Sequence, residues 1–224
     1  MRRTSFSTIA LLAALALILG CAAKKPVEET APDVSGIRTV LVLPLQDMTG
    51  VFGQNQQVRS PLSGKMFFTG EVGANAPKFL FTRLWEFMDQ SSGYTALPPG
   101  QTDELRGMIL GAGGRTPSER EIVPELGRRM EADAVLAGYV YRYKPRMGNA
   151  YAVETPASVA FELCLVRSAD GAMIWSGRYD ETQQALSENL LKAPKFLERG
   201  GKWVSAEDLA AGGLSHMLKD FPKP

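Results

Sequence analysis

Apolar positions along this chain fall into three kinds of pattern, and each predicts a different element. Residues 9–19 form an unbroken apolar run of 11 residues. A membrane-spanning helix needs about 20, so this run has instead the length of a signal-peptide core. Residues 39–45 (TVLVLPL) are a short β-branched and leucine run, as in a strand buried on both faces, and Pro44 fits a strand terminus or an edge. Phe81, Leu84, Trp85 and Met88 recur at i, i+3, i+4 and i+7, which predicts a helix over 77–90 with Pro77 in its first turn. Phe79, Leu80 and Phe87 widen the stripe enough to pack against a sheet.

A short strand follows at 94–97, then a second helix over 101–110. The glycines at 111, 113 and 114 after it read as a turn, since no Gly-Lys-Ser/Thr follows to make a phosphate loop. The third helix spans 118–130. Ser118 and Glu121 have capping-box spacing, and Ile122, Leu126 and Met130 share a face. Pro124 implies that the regular helix starts near Val123 or kinks there.

The next three segments alternate with period two. Residues 134–143 carry Val135, Ala137, Tyr139, Tyr141 and Tyr143; residues 158–167 carry Val159, Phe161, Leu163 and Leu165; residues 172–180 carry Met173, Trp175 and Tyr179. Asp170-Gly171 joins the last two as a hairpin. The tail gives a short helix over 187–192. A longer helix follows Ser205, which has capping-box spacing to Asp208, and Gly212-Gly213 should weaken or bend it. Two segments escape these patterns. Residues 46–76, with Pro61, several glycines and the cluster Gln54, Asn55, Gln56, Gln57 and Arg59, read as a long loop that is either disordered or functional. Residues 144–156 read as a second protruding loop.

This order predicts an α/β (α+β-like) fold: a mixed sheet with helices packed against it, a C-terminal antiparallel hairpin and a single domain. The boundaries are 1–20 for a signal peptide, 21–36 for a lipidated flexible stalk, 37–183 for the α/β domain and 184–224 for a C-terminal helical extension. Arg2 and Arg3 precede the apolar run, and Ile18-Leu19-Gly20-Cys21 ends it. That tetrapeptide resembles the lipobox of lipoprotein signal peptidase substrates, which implies cleavage between Gly20 and Cys21 and a diacylglyceryl and N-acyl (palmitate) lipid on Cys21. An ordinary secretory signal with a chance cysteine is the alternative. Two or more acyl chains hold a protein stably on a membrane. In the lipoproteins this resembles, an Asp after the Cys marks inner-membrane retention, so the resemblance, with Ala22 in that place, implies the outer membrane, facing the periplasm.

Removing residues 1–20 leaves 23 basic side chains (25 − 2) against 24 acidic ones. A near-neutral domain has no basic face with which to displace counterions, so nucleic acid is not an expected partner. Beyond Cys21 the one cysteine is Cys164, flanked by Leu163 and Leu165, a structural thiol in a buried strand; the one histidine is His216. That inventory builds no metal site, no Cys–His or Ser–His relay and no cofactor site beyond the covalent lipid.

Two segments carry a family resemblance. Residues 40–50 (VLVLPLQDMTG) resemble the first strand of periplasmic domains in the CsgG (curli secretion lipoprotein) superfamily, whose relatives include the LpoB-type activator of penicillin-binding proteins and the amino-terminal domain of TolB. Glu131-Ala132-Asp133-Ala134-Val135-Leu136-Ala137-Gly138 resembles their helix-to-strand step. The resemblance covers about residues 38–182 and implies the fold and the envelope context; no catalytic residue comes with it. A CsgG-like pore needs two amphipathic hairpins of membrane length, about 9–11 residues per strand. Residues 46–76 lack a clean period-2 pair, and residues 144–157 are too short for a hairpin.

The expected function is a non-enzymatic, lipid-anchored envelope lipoprotein that binds another envelope protein. Its candidate contacts are Gly53, Gln56 and Arg59 in the long loop and the region from Tyr139, Tyr141 and Tyr143 to Tyr151. For the tyrosine row, a core-facing strand is the competing reading. A ring-forming homo-oligomer for secretion or assembly is an alternative. A cell-wall enzyme using Asp180 and Glu181 is a weaker one, because adjacent strand residues point to opposite faces.

Overall fold

The computed structural model describes residues 32–111, 114–148, 153–183 and 204–224. The signal peptide with Gly20 and Cys21, residues 22–31 of the stalk, Tyr151 and the helix expected at 187–192 lie outside the described residues.

Pro44 divides the first strand. β1 (Thr39–Val42) runs parallel to β6 (Ala134–Lys144), and Leu43 still donates its N–H to the Leu136 carbonyl at 3.0 Å. Pro44 has no N–H to give, and the chain rejoins β6 only as β2 (Gln46–Asp47), with Gln46 opposite Tyr139. The expected strand over 39–45 thus ends at Val42, with Pro44 just past its terminus, and pairing with β6 resumes only at Gln46. The sheet is completed by β5 (Thr95–Leu97), β9 (Ser158–Arg167) and β10 (Met173–Thr182), in the order β10-β9-β6-β1-β5. β1 is parallel to both its neighbours, while β6–β9 and β9–β10 are antiparallel, so the sheet is mixed as expected.

The Ala-Asp-apolar-Gly step into β6 has a physical basis. One Asp133 oxygen accepts the N–H groups of Arg38 and Thr39, both at 2.9 Å, and the Thr39 hydroxyl at 3.0 Å. Those bonds, from Thr39 and then Arg38, hold the Asp133 carboxyl below its ordinary range and lock β1 in register with β6. Gly138 lies where a Cβ would come 2.6 Å from Leu45 Cγ and 2.9 Å from Leu163 Cδ2. Any larger residue would push β2 and β9 away.

Each face of the sheet is covered. On the first, α2 (Ala76–Gln90) and α5 (Ala206–Leu218) lay Leu80, Leu84 and Met88, and Leu209, Leu214 and Met217, on Val40, Leu136, Val140, Phe161 and Leu163. Gly212 and Gly213 do not interrupt α5: Gly213 is buried against the Tyr179 ring. On the second face, α4 (Glu119–Arg129) buries Ile122, Val123 and Leu126 against Leu41, Val135 and Val166, beside α3 (Thr102–Gly111). The Ser118–Glu121 and Ser205–Asp208 capping boxes both form. Arg115 and then Ser118 hold Glu121 down to about 2. α4 does not start at Val123. It begins at Glu119 and passes through the proline, giving up one hydrogen bond where neighbouring residues are buried.

Three expectations are corrected. Residues 46–76 are not one irregular loop. They hold β2, the one-turn helix α1 (Thr49–Phe52), and an antiparallel hairpin of β3 (Gln57–Arg59) and β4 (Met66–Phe68). Within residues 144–157, β7 (Met147–Gly148) pairs with β8 (Val153–Thr155), so a small ribbon does form there. The tyrosine row is core, as the core-facing reading had it, but it does not lie on one face. Tyr141 is the extra residue of a bulge between Val140 and Arg142, and one inserted residue reverses the facing of all that follows. Tyr139 and Tyr141 are buried on the second face and Tyr143 on the first, edge-on to Phe79.

Candidate functional site

The bulge in β6 places Arg142 at the end of the sheet farthest from where the chain enters β1. Each of its three guanidinium nitrogens donates a hydrogen bond. Nε donates to Ser158 Oγ (2.5 Å), Nη1 to the Phe68 carbonyl (2.8 Å) and Nη2 to Asp180 Oδ1 (2.6 Å). Gly70 rests on the aliphatic stem of Arg142, where a Cβ would come within 2.9 Å of Cγ and Cδ. The 70–72 stretch runs alongside the end of β6: Gly70 N–H donates to Tyr141 O (2.9 Å) and Tyr143 N–H to Glu71 O (2.7 Å). Asp180 also accepts from Arg178 at 2.8 Å. Ser158 and Thr182 share a hydroxyl contact of 2.5 Å.

Around this knot opens a cleft of about 700 Å³, lined by Gln54, Asn55, Phe68–Glu71, Arg142, Lys144, Thr155, Pro156, Ser158, Asp180 and Thr182. Phe68, on its wall, is 52% exposed. Val51 and Phe52 of α1 and Met147 of β7, in the segments leading into it, are also exposed. Asn55 holds a left-handed conformation (φ 57°) and donates its N–H to Thr69 O at 3.1 Å, which fixes the amide-bearing rim.

The hairpin that carries Phe68 is fastened from below by a buried acid. Glu162, on β9, is 0% exposed. Its carboxylate accepts the hydroxyls of Ser60, Ser63 (2.6 Å) and Tyr141 (3.0 Å). Phe67 stacks flat on Tyr141, with ring centroids 4.0 Å apart, and the Arg178 guanidinium covers Phe67 at 4.6 Å. Lys65, at the hairpin's turn, donates to Ser176 Oγ at 2.9 Å. Cys164 lies buried beside this cluster. Burial, and then the Glu162 charge, push its thiol pKa up, which makes it a structural group and a poor nucleophile.

Gly53 and Gln56 flank the cleft-lining residues Gln54 and Asn55. Gly53 (φ 77°) ends α1, and Gln56 is held through its backbone N–H by Thr69 Oγ1 at 2.9 Å. Arg59 is not part of the cleft: it donates to Gly64 O at 3.2 Å across the hairpin turn. Asp180 and Glu181 diverge, Asp180 to the two arginines and Glu181 to the Tyr179 hydroxyl (2.9 Å). Phe68, Arg142 and Glu162 were not singled out in the sequence. The available signals were an arginine inside a tyrosine alternation and a glutamate between Phe161 and Leu163. Among the described residues, no group of three potential metal ligands occurs and no helix is long and apolar enough to cross a membrane. With Arg142 and Asp180 paired to each other, the cleft offers an aromatic anchor, amides, the Glu71 carboxylate and the Lys144 ammonium.

No protein-family model and no characterised sequence matches the chain. Among solved structures it is similar to the PelC dodecamer from Paraburkholderia phytofirmans, at 12% identity, over 87% of this chain and 95% of that one, with a TM-score of 0.48. It is also similar to the LpoB C-terminal domain from Salmonella enterica, at 18% identity, over 68% of this chain and 88% of that one, TM-score 0.40. A lipoprotein from Neisseria meningitidis matches at 18% identity, over 72% and 96%, TM-score 0.38. These are loose likenesses of backbone course. LpoB appears both here and in the sequence resemblance, whereas CsgG and TolB stay resemblances of sequence.

Proposed function

We propose that this chain is a lipoprotein anchored through Cys21 to the outer membrane, facing the periplasm, and that it acts without catalysis by binding another envelope protein in the cleft at the far end of its sheet. The anchoring half of this reading rests on the lipobox-like Ile18-Leu19-Gly20-Cys21. The binding half rests on one observation: two segments far apart in sequence, around residues 54–71 and 142–158, meet in a cleft of about 700 Å³ with Phe68 half exposed on its wall. An exposed aromatic beside pre-positioned polar groups is the usual anchor of a protein contact. β6 is 11 residues long, so at about 3.3 Å per residue the cleft lies roughly 35 Å from the end at which the stalk enters. A site there lies at the opposite end of the sheet from Thr39.

The test is in-cell photo-cross-linking of the full chain. A photoreactive residue replacing Phe68 or Lys144 is expected to give one discrete heavier species, and the same residue replacing Arg83 on α2 none. Palmitate labelling should be lost in Cys21→Ala. Equal cross-linking from all three positions would sink the cleft assignment, and labelling that survives Cys21→Ala would sink the anchor.

A further inference from the structure

β10 is the last strand of the sheet, and no other described strand pairs with it beyond β9. Its outward edge can be assigned residue by residue. Gln183 continues the β9 register and donates its N–H to Ala157 O at 3.0 Å. Hydrogen-bonded and non-bonded pairs alternate in an antiparallel ladder, so Gly177, Tyr179 and Glu181 also turn their backbone groups toward β9. Ser176, Arg178, Asp180 and Thr182 then turn their N–H and C=O groups away from the sheet. Lys65 Nζ agrees with this, reaching Ser176 O from outside at 3.3 Å. α5 packs on the face of β10, through Met217 on Gly177, and not across this edge.

An edge of this length is a template for another strand, and the side chains select which. We propose that it pairs antiparallel with β10 of a second copy of this chain, about a two-fold axis at Tyr179. In that register Arg178 of each copy stands opposite Asp180 of the other, and Ser176 opposite Thr182. Each Arg178–Asp180 pair exchanges two N–H···O bonds, and at each Ser176–Thr182 pair the incoming N–H takes the second lone pair of the Ser176 carbonyl beside Lys65 Nζ. Arg178 and Asp180 lie on the same face, so two Arg–Asp contacts form across the axis. Sliding one step either way sets Arg178 against Arg178 or Asp180 against Asp180, and like charges directly opposite are destabilising. Charges that would otherwise repel a passing strand thus admit one self-pairing.

The experiment is light scattering on the full-length, lipid-bearing protein in mild detergent. It compares the unmodified chain with Thr182→Pro and Arg178→Asp, and records a melting curve for each. A proline at an outward N–H removes no backbone bond to β9 and gives up only the Thr182 hydroxyl contact to Ser158, so Thr182→Pro should melt a little below the unmodified chain, as one cooperative transition, yet run as a monomer. Arg178→Asp faces Asp180 of the second copy and should weaken pairing about 10-fold or more; it also gives up its own contacts to Asp180 and Phe67, a loss the melting curve reads separately. Should Thr182→Pro fail to fold, Arg178→Asp decides alone. An unmodified chain that is monomeric at its highest soluble concentration, or a pair or larger ring that survives the substitutions, overturns the proposal.

Discussion

The two faces of the sheet are held by different physics. On the first, α2 and α5 meet it through leucines, methionines and aromatics, with Leu80, Leu84 and Met88 all 0% exposed. On the second, α4 packs the same way beside one half, but the other half is roofed by a hairpin whose strands are three residues each. So short a hairpin has little stability of its own. Glu162 fastens it to the sheet through the hydroxyls of Ser60 and Ser63, with the Tyr141 hydroxyl of β6 on the same carboxylate and the Phe67–Tyr141 stack beside them. Area alone suffices where helices are long. Where the covering element is short, directed bonds decide its place, and in this protein that element carries the candidate partner surface.

The sharpest way to break the contrast is on the first face. Leu84→Ala should cost about 2–5 kcal/mol, since it removes a fully buried leucine and leaves a cavity, and calorimetry should show the whole domain melting earlier. Gly138→Ala should cost about 1–3 kcal/mol, because its methyl would overlap Leu45 and Leu163. Glu162→Leu tests the second face. It strands three hydroxyls and should cost about 2 kcal/mol. Its signature is local: proteolytic nicking should begin within 60–65 while the main melt shifts less than in Leu84→Ala.

The smallest effect concerns acid. The folded pKa of Asp133 lies below its unfolded value, so its contribution is fully present above the unfolded carboxylate range. It is lost as pH falls through the folded value. Asp133→Asn should therefore lower stability at neutral pH and flatten the acid limb of the curve, as read by denaturant midpoints from neutrality downward. An unchanged acid limb would remove Asp133 from the register clamp.

Much of the first face was readable from the chain. The helix at 77–90 and the Asp170-Gly171 hairpin announce themselves because each repeats one period over many residues, so many weak preferences add. The Ser118 and Ser205 caps were legible for a different reason: both partners lie within one turn. Residues 46–76 were not, since α1, β3 and β4 are too short to show any period and owe their form to contacts with β6 and β9. Tyr143 was misplaced because a bulge leaves no mark in an alternating pattern. Glu162 went unseen because its partners, Ser60 and Ser63, lie about a hundred residues away.

The direction of β10 has a mechanical consequence for a self-paired molecule. The strand begins near Arg167, which grips Asp33 at 2.9 Å where the chain enters the domain, and runs toward the cleft. Joining two such strands head to tail turns one copy end for end, so the two entry points sit at opposite ends of the shared sheet. The clefts, by contrast, would flank the axis, since Asp180 and Thr182 line them and lie within three residues of Tyr179.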